Sequence, residues 1–195
     1  VQLTLAASEL DTLVAHTGAG ALKVVGDASV QSITLDADIY GYDGVDPELT
    51  LVRSGNKAKL VANFDSFSRL SFSNGRSPYI DLVVTVPAHM QLDIKDGSGA
   101  IAIRGVQADM QIEDGSGAID IDSGHKLTID DGSGSITLTN VMGDVDINDG
   151  SGNLSIALVK GDVTIEDGSG GIEVREVEGK VTIDDGSGSI RVAGS

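Results

Sequence analysis

The chain has 195 residues, 26 of them Gly, six aromatic and none Cys, and its 30 acidic against 13 basic residues leave a formal net charge of −17. A hydrophobic share of 40% is enough for a core and excludes wholesale disorder, while a Pro count of 3 excludes collagen and proline-rich linkers. The acidity speaks against nucleic acid, whose phosphates need Lys and Arg. No run of about 18 apolar residues offers a membrane span, and the lack of Cys removes any disulfide framework or thiolate site.

The chain opens on Val1-Gln2-Leu3-Thr4-Leu5, a short alternating segment that reads as a strand able to complete a neighbour's edge. With no initiator Met, this start suits a processed secreted protein or a trimmed one. Leu13 to Val24 then alternates on both sides of a Thr17-Gly18-Ala19-Gly20 corner. Residues 36–80 break the pattern and gather all six aromatics, Tyr40, Tyr42, Phe64, Phe67, Phe72 and Tyr79. Within them, Glu48–Val52 and Lys57–Phe64 flank Arg53-Ser54-Gly55-Asn56 and predict a hairpin. Asp65 to Pro78 is polar and reads as a long loop, after which Leu82–Pro87 returns to apolar strand.

From residue 92 on, the chain is a repeat. Asp-Gly-Ser-Gly begins at Asp96, Asp114, Asp131, Asp149, Asp167 and Asp185, a constant step broken once, from Asp114 to Asp131, where it is one residue shorter. Around each copy runs apolar-x-apolar-x-Asp-Gly-Ser-Gly-x-apolar-x-apolar, as in Val163 to Val174. Period-two alternation means strands with one buried face, and the glycines mark corners. Four of the five links add a Val, at Val106, Val141, Val159 and Val177, a third inward contact per repeat. A meander could use the same hairpins, but identical corners at constant step favour coils in which each strand stacks on its copy. One coil offers about five inward aliphatics at roughly 1.5–3 kcal/mol each, against about 1–2 kcal/mol per residue of backbone entropy. Single coils therefore cannot fold alone, and the expected fold is an all-β, single-domain parallel β-helix (β-solenoid) over residues 1–195, elaborated over 1–91 and regular over 92–195.

Thr17 to Val24, Asp81-Leu82-Val83-Val84-Thr85-Val86-Pro87 and the Asp-Gly-Ser-Gly coils together resemble the adhesin-like solenoid domains of bacterial envelope proteins, of the auto-transporter adhesin or head GIN type. The resemblance covers most of the chain. It implies a right-handed parallel β-helix and an extracytoplasmic location, and it supplies no catalytic or ligand residues.

The six corner aspartates should stack into a column, one carboxylate per ~4.8 Å. Each can accept hydrogen bonds from its own Gly-Ser turn; alternatively Ca²⁺ could bridge neighbouring carboxylates, which makes Asp96, Asp114, Asp131, Asp149, Asp167 and Asp185 the candidate metal ligands. The calcium-binding Gly-Gly-x-Gly-x-Asp signature is absent, so no cofactor is expected. The glycines form no nucleophile elbow or phosphate loop, and His16, His89 and His125 have no metal-ligand spacing; no enzyme is expected. The last coil, ending in Ile190-Arg191-Val192, is as regular as any internal one, where repeat arrays ordinarily carry a cap. Together with Val1, Leu3 and Leu5 at the other end, Ile190 and Val192 are the candidates for end-to-end self-assembly. The function expected is a structural or adhesive solenoid whose partner is a second copy of itself, with its acidic flank keeping fibres apart. The alternative is a monomeric module that holds a glycan or envelope component with the aromatic region.

Overall fold

The computed structural model describes residues 1–41, 45–64 and 77–194. All nineteen elements are strands, and no helix occurs among the described residues. The first part contains β1 (Gln2–Ala6), β2 (Thr12–Ala19), β3 (Leu22–Asp27), β4 (Ser32–Tyr40), β5 (Pro47–Ser54), β6 (Lys57–Phe64) and β7 (Tyr79–Pro87). Then follow β8 (Gln91–Ser98), β9 (Ile101–Arg104), β10 (Met110–Asp114), β11 (Ile119–Asp122), β12 (Leu127–Asp131) and β13 (Ile136–Val141). The chain closes with β14 (Val145–Asp149), β15 (Gly152–Val159), β16 (Val163–Asp167), β17 (Gly170–Val177), β18 (Val181–Asp185) and β19 (Gly188–Ala193).

Two large sheets result. The ten-stranded sheet runs β1-β4-β7-β3-β9-β11-β13-β15-β17-β19, and the nine-stranded sheet β18-β16-β14-β12-β10-β8-β2-β6-β5. From β8 on, consecutive strands alternate between the sheets, and each pairs in parallel with the strand two places further along. The register is one repeat: Leu92 lies opposite Met110 and Val163 opposite Val181, a full step on, while Asp114 lies opposite Asp131 at the single short step. The sheets stay separate, with β1 and β19 at the edges of one and β5 and β18 at the edges of the other.

Alternation sets which side chains go inside. Val163 and Ile165 are buried while Thr164 between them and Glu166 after them are exposed, and the same parity recurs in every repeat down to β16. The linking residues Val106, Val141, Val159 and Val177 are all buried, so each full coil does carry a third inward contact. The short coil has none at that place; instead Gly124, at φ +133°, lies against the ends of Met110 and Leu127. Glycine is required where one corner stacks on the next. In the corners from Gly117 to Gly188, the second glycine has φ from +141° to +157°, and a Cβ there would collide with the carbonyl oxygen of the glycine one coil before it.

Residues 12–25 supply one strand to each sheet, but not beside their sequence neighbours. β2 pairs in parallel with β8, which places Leu13 opposite Leu92 and Thr17 opposite Asp96, and β3 pairs with β9, which places Leu22 opposite Ile101. The chain between them adds β6 beside β2 and β7 beside β3, both in parallel. Antiparallel pairs complete this end: β5 with β6 as the predicted hairpin, β4 with β7, and β1 with β4. β1 pairs with β4 of its own chain on one side and forms the outer edge of the ten-stranded sheet on the other. Its Leu3 and Leu5 pack partly buried against the core, and the Val1 ammonium donates to the Ala37 carbonyl at 2.7 Å.

Candidate functional site

The corner aspartates do form a column, since Asp96, Asp114, Asp131, Asp149, Asp167 and Asp185 oppose one another in successive register pairs. The column faces inward. Asp131 and Asp149 are each only 2% exposed, and Asp96, Asp114 and Asp167 are buried as well. The acidic flank expected of these residues thus belongs to others, such as Asp130, Asp146 and Glu166, whose positions alternate outward. Parity is the cause: an Asp two residues after an inward Ile points the same way as the Ile, a signal already present in the repeat.

From Asp114 on, each carboxylate is held by its own turn on one side only. Oδ1 accepts the backbone N–H of the Ser two residues on, at 3.2 Å for Asp114, Asp131 and Asp149 and 3.1 Å for Asp167. The Gly N–H that follows each Asp goes elsewhere, to the carbonyl of the Asp one coil before, as Gly150 does to Asp131 at 2.9 Å. At the head of the column Thr17 takes the Asp position and donates its hydroxyl to Asp96 Oδ1. The Oδ2 atoms of Asp96, Asp114, Asp131, Asp149 and Asp167 are buried and accept no hydrogen bond. Burial disfavours the charged form, and with repulsion from the neighbouring carboxylates it pushes Asp114, Asp131 and Asp149 up to about 6. Asp96 is also raised by burial, against the lowering effect of the Thr17 hydroxyl.

The inward positions of β18 and β19 are uncovered: Ile190 is 50% exposed and Val192 43%, while Val181 and Ile183 are half-buried. The backbone is equally ready to pair. In earlier coils the first inward residue sends its N–H forward, Ile119 to the Ser135 carbonyl at 2.8 Å and Val163 to that of Lys180 at 2.8 Å. By the same register Val181, Ile190 and Val192 aim their N–H groups out of the edge. Val1, at the opposite end, is 65% exposed.

The aromatic candidates separate. Tyr40 and Tyr79 oppose each other across β4 and β7 and stack with centroids 4.5 Å apart, both solvent-exposed. Asp38 and Asp81 oppose each other two residues further along the same pair. Phe64 is buried in the core. Tyr42, Phe67 and Phe72 lie outside the described residues. Of the histidines, His125 Nδ1 sits 3.0 Å from Asp109 Oδ1 at the surface, and His89 lines an open cavity of about 550 Å³ together with Glu9, Leu10, Val30 and Pro87. No group of three or more His, Asp or Glu side chains placed to hold a metal ion occurs among the described residues.

No family model matches the chain, and no curated protein matches it in sequence. Among solved structures the chain is similar to a candidate adhesin from Bacteroides fragilis, at 15% identity and a TM-score of 0.49, over 98% of this chain and 96% of that one. It is also similar to a candidate adhesin from Parabacteroides distasonis, at 11% identity and 0.44 over 98% and 96%. A candidate cell adhesion protein from Clostridium sporogenes matches at 11% and 0.35 over 99% and 98%. Likenesses of this extent assign neither an activity nor a partner to the chain. No described helix is long and apolar enough to cross a membrane.

Proposed function

We propose that the chain is a right-handed, two-sheet β-solenoid of the adhesin-like kind, an extracytoplasmic structural or adhesive module without turnover that extends end to end by docking coil on coil. The open edge of β18 and β19 carries this reading. Among the described residues its aliphatic side chains stand in core positions yet are exposed, and its N–H groups face outward in a register that earlier repeats already define. A further coil of the same pattern would bury Ile190 and Val192 and complete the ladder. The other end of the stack presents β1 and β5, so joining two copies brings unlike edges together, and such contacts give open filaments unless the rotation closes.

The test is electron microscopy and light scattering of the chain across a concentration series, beside Val192→Pro. That substitution removes an outward-facing N–H from the edge while sparing the pairing to β17. Filaments or mass growth in the wild type that vanish in the variant support the reading; a monodisperse wild type at every concentration refutes it. One observation favours a second role, the exposed Tyr40–Tyr79 stack, which could seat a sugar ring. With Asp38 and Asp81 alongside, the sugar would be neutral and not an acidic polysaccharide. Loss of neutral-glycan binding in Tyr79→Ala with the fold intact would support that role, and unchanged binding would remove it.

A further inference from the structure

Five Oδ2 atoms, those of Asp96, Asp114, Asp131, Asp149 and Asp167, stand buried in file without a hydrogen-bond partner. A buried carboxylate oxygen left unpaired is costly, and one repeated at five successive coils calls for an occupant. Among the described residues, the groups around the file supply none. Thr17 closes one end and Asp185 of β18 the other. On the outer face of the same strands Asp130, Glu166 and Asp184 add only negative charge, and Lys95, a cation on that face, is held by Glu113 at 3.0 Å. Across the corner the ten-stranded sheet offers aliphatic residues, Ile119, Ile136 and Leu154 among them.

Size selects among the cations that could enter. Ca²⁺ takes about 6–8 oxygens at roughly 2.3–2.6 Å, and each gap in the file offers two carboxyls with no solvent contact at Oδ2. A proton needs only two oxygens. Repeats stack at ~4.8 Å, so rotating one carboxyl toward the next brings its Oδ2 toward the neighbouring carboxylate. A shared proton needs the two oxygens ~2.5–2.7 Å apart, a distance reached by rotation of one side chain of each pair. With Oδ1 tied to a Ser N–H, or at Asp96 to the Thr17 hydroxyl, Oδ2 is the atom free to meet the neighbour.

We propose that the inward aspartate column is a proton-binding site in which neighbouring carboxyls share protons. Each proton comes from solvent and binds Oδ2 of one aspartate, which then donates it to the adjacent aspartate, still a carboxylate. No other bond forms or breaks. The column is thereby neutralised by about one proton per two coils, and the Coulomb repulsion between adjacent carboxylates becomes a hydrogen bond. The raised values of Asp114, Asp131 and Asp149 fit this account.

The sign follows from linkage. A carboxyl raised from 3.8 to about 6 stabilises the fold fully below its unfolded value, and that contribution is lost as pH climbs through about 6. Two measurements test the proposal. The first is a ¹³C NMR titration of the aspartate carboxyls in the wild type. The second is Tm from pH 5 to pH 8 for the wild type and for the doubly substituted Asp131→Asn, Asp149→Asn, whose amides donate to their neighbours without any proton uptake. The expected result is column resonances still titrating above pH 5, a wild-type Tm that falls by several degrees toward pH 8, and a variant whose Tm is flatter and higher at pH 8. Carboxyls that finish titrating below pH 5 overturn the proposal, and so does a variant whose Tm follows the wild-type slope. A wild-type Tm raised at pH 8 by Ca²⁺, with the variant unmoved and no titration above pH 5, overturns it in favour of a metal ion.

Discussion

Gly152 lies at a middle corner of the stack with φ +151°, and a Cβ there would strike the carbonyl oxygen of Gly134 in the coil before. Gly152→Ala therefore meets two separate obstacles. The backbone conformation costs about 1–3 kcal/mol for a residue with a side chain. The collision is with backbone on both sides and cannot be relieved by a rotamer change, so the coils must part locally. That threatens the bonds from Gly152 N–H to the Ser169 carbonyl and from Gly134 N–H to the Ser151 carbonyl, each 3.0 Å long, at about 0.5–1.5 kcal/mol apiece. The total is about 2–6 kcal/mol. Gly55 provides the control, because it sits in the hairpin turn at φ +63° with nothing within 4 Å of the place a Cβ would take. Gly55→Ala meets the dihedral cost alone, about 1–2 kcal/mol. Urea denaturation of both variants measures the difference, which should be about 1–3 kcal/mol, the cost of the two threatened bonds. Two variants within about 1 kcal/mol of each other would refute the claim that corner-on-corner contact, and not φ alone, demands glycine.

Leu158 holds φ +58° and is 44% exposed, so Leu158→Asn should stabilise the fold by about 0.5–1 kcal/mol, read as a higher urea midpoint with unchanged slope. Ile147 is fully buried and Ile147→Ala should cost about 2–5 kcal/mol, whereas Ile190→Ala at the open edge should cost under about 1 kcal/mol in the unassociated chain. Arg104 and Asp120 join adjacent coils at 2.6 Å but are 39% and 51% exposed; Asp120→Asn should change stability by less than about 1 kcal/mol, and less still in high salt.

The regular part was legible because local and long-range instructions agree there. Val163-Thr164-Ile165 alternates as a strand, and its copy in the next repeat is the partner it finds. The inward facing of the aspartates was missed although the same parity carries it, because Asp is so seldom buried that its position two residues after Ile165 reads first as a surface turn. The elaborated part was less so. Nothing near Thr17 states that its partner is Asp96, because the register is set by the whole coil and the residues between are free to loop away. Five alternating residues in β1 fit any free edge, and only the assembled structure shows that β4 supplies it. Tyr40 and Tyr79 meet because β4 and β7 run antiparallel, an arrangement foreign to the repeat that surrounds them.

The single short coil has a consequence for how the chain finds its alignment. Coils that are nearly identical can pair one copy out of place while keeping every aliphatic residue inside and every glycine over glycine, so a uniform array has many almost equivalent misfolded alignments and the kinetic traps that go with them. The step from Asp114 to Asp131 breaks that degeneracy. A slipped stack would set the short coil against full-length ones at the wrong place, lose the contact of Met110 and Leu127 over Gly124, and leave a buried Val without a counterpart. The irregular coil acts as a datum mark, and restoring the missing residue should make refolding slower and more heterogeneous even if the final stack were more stable.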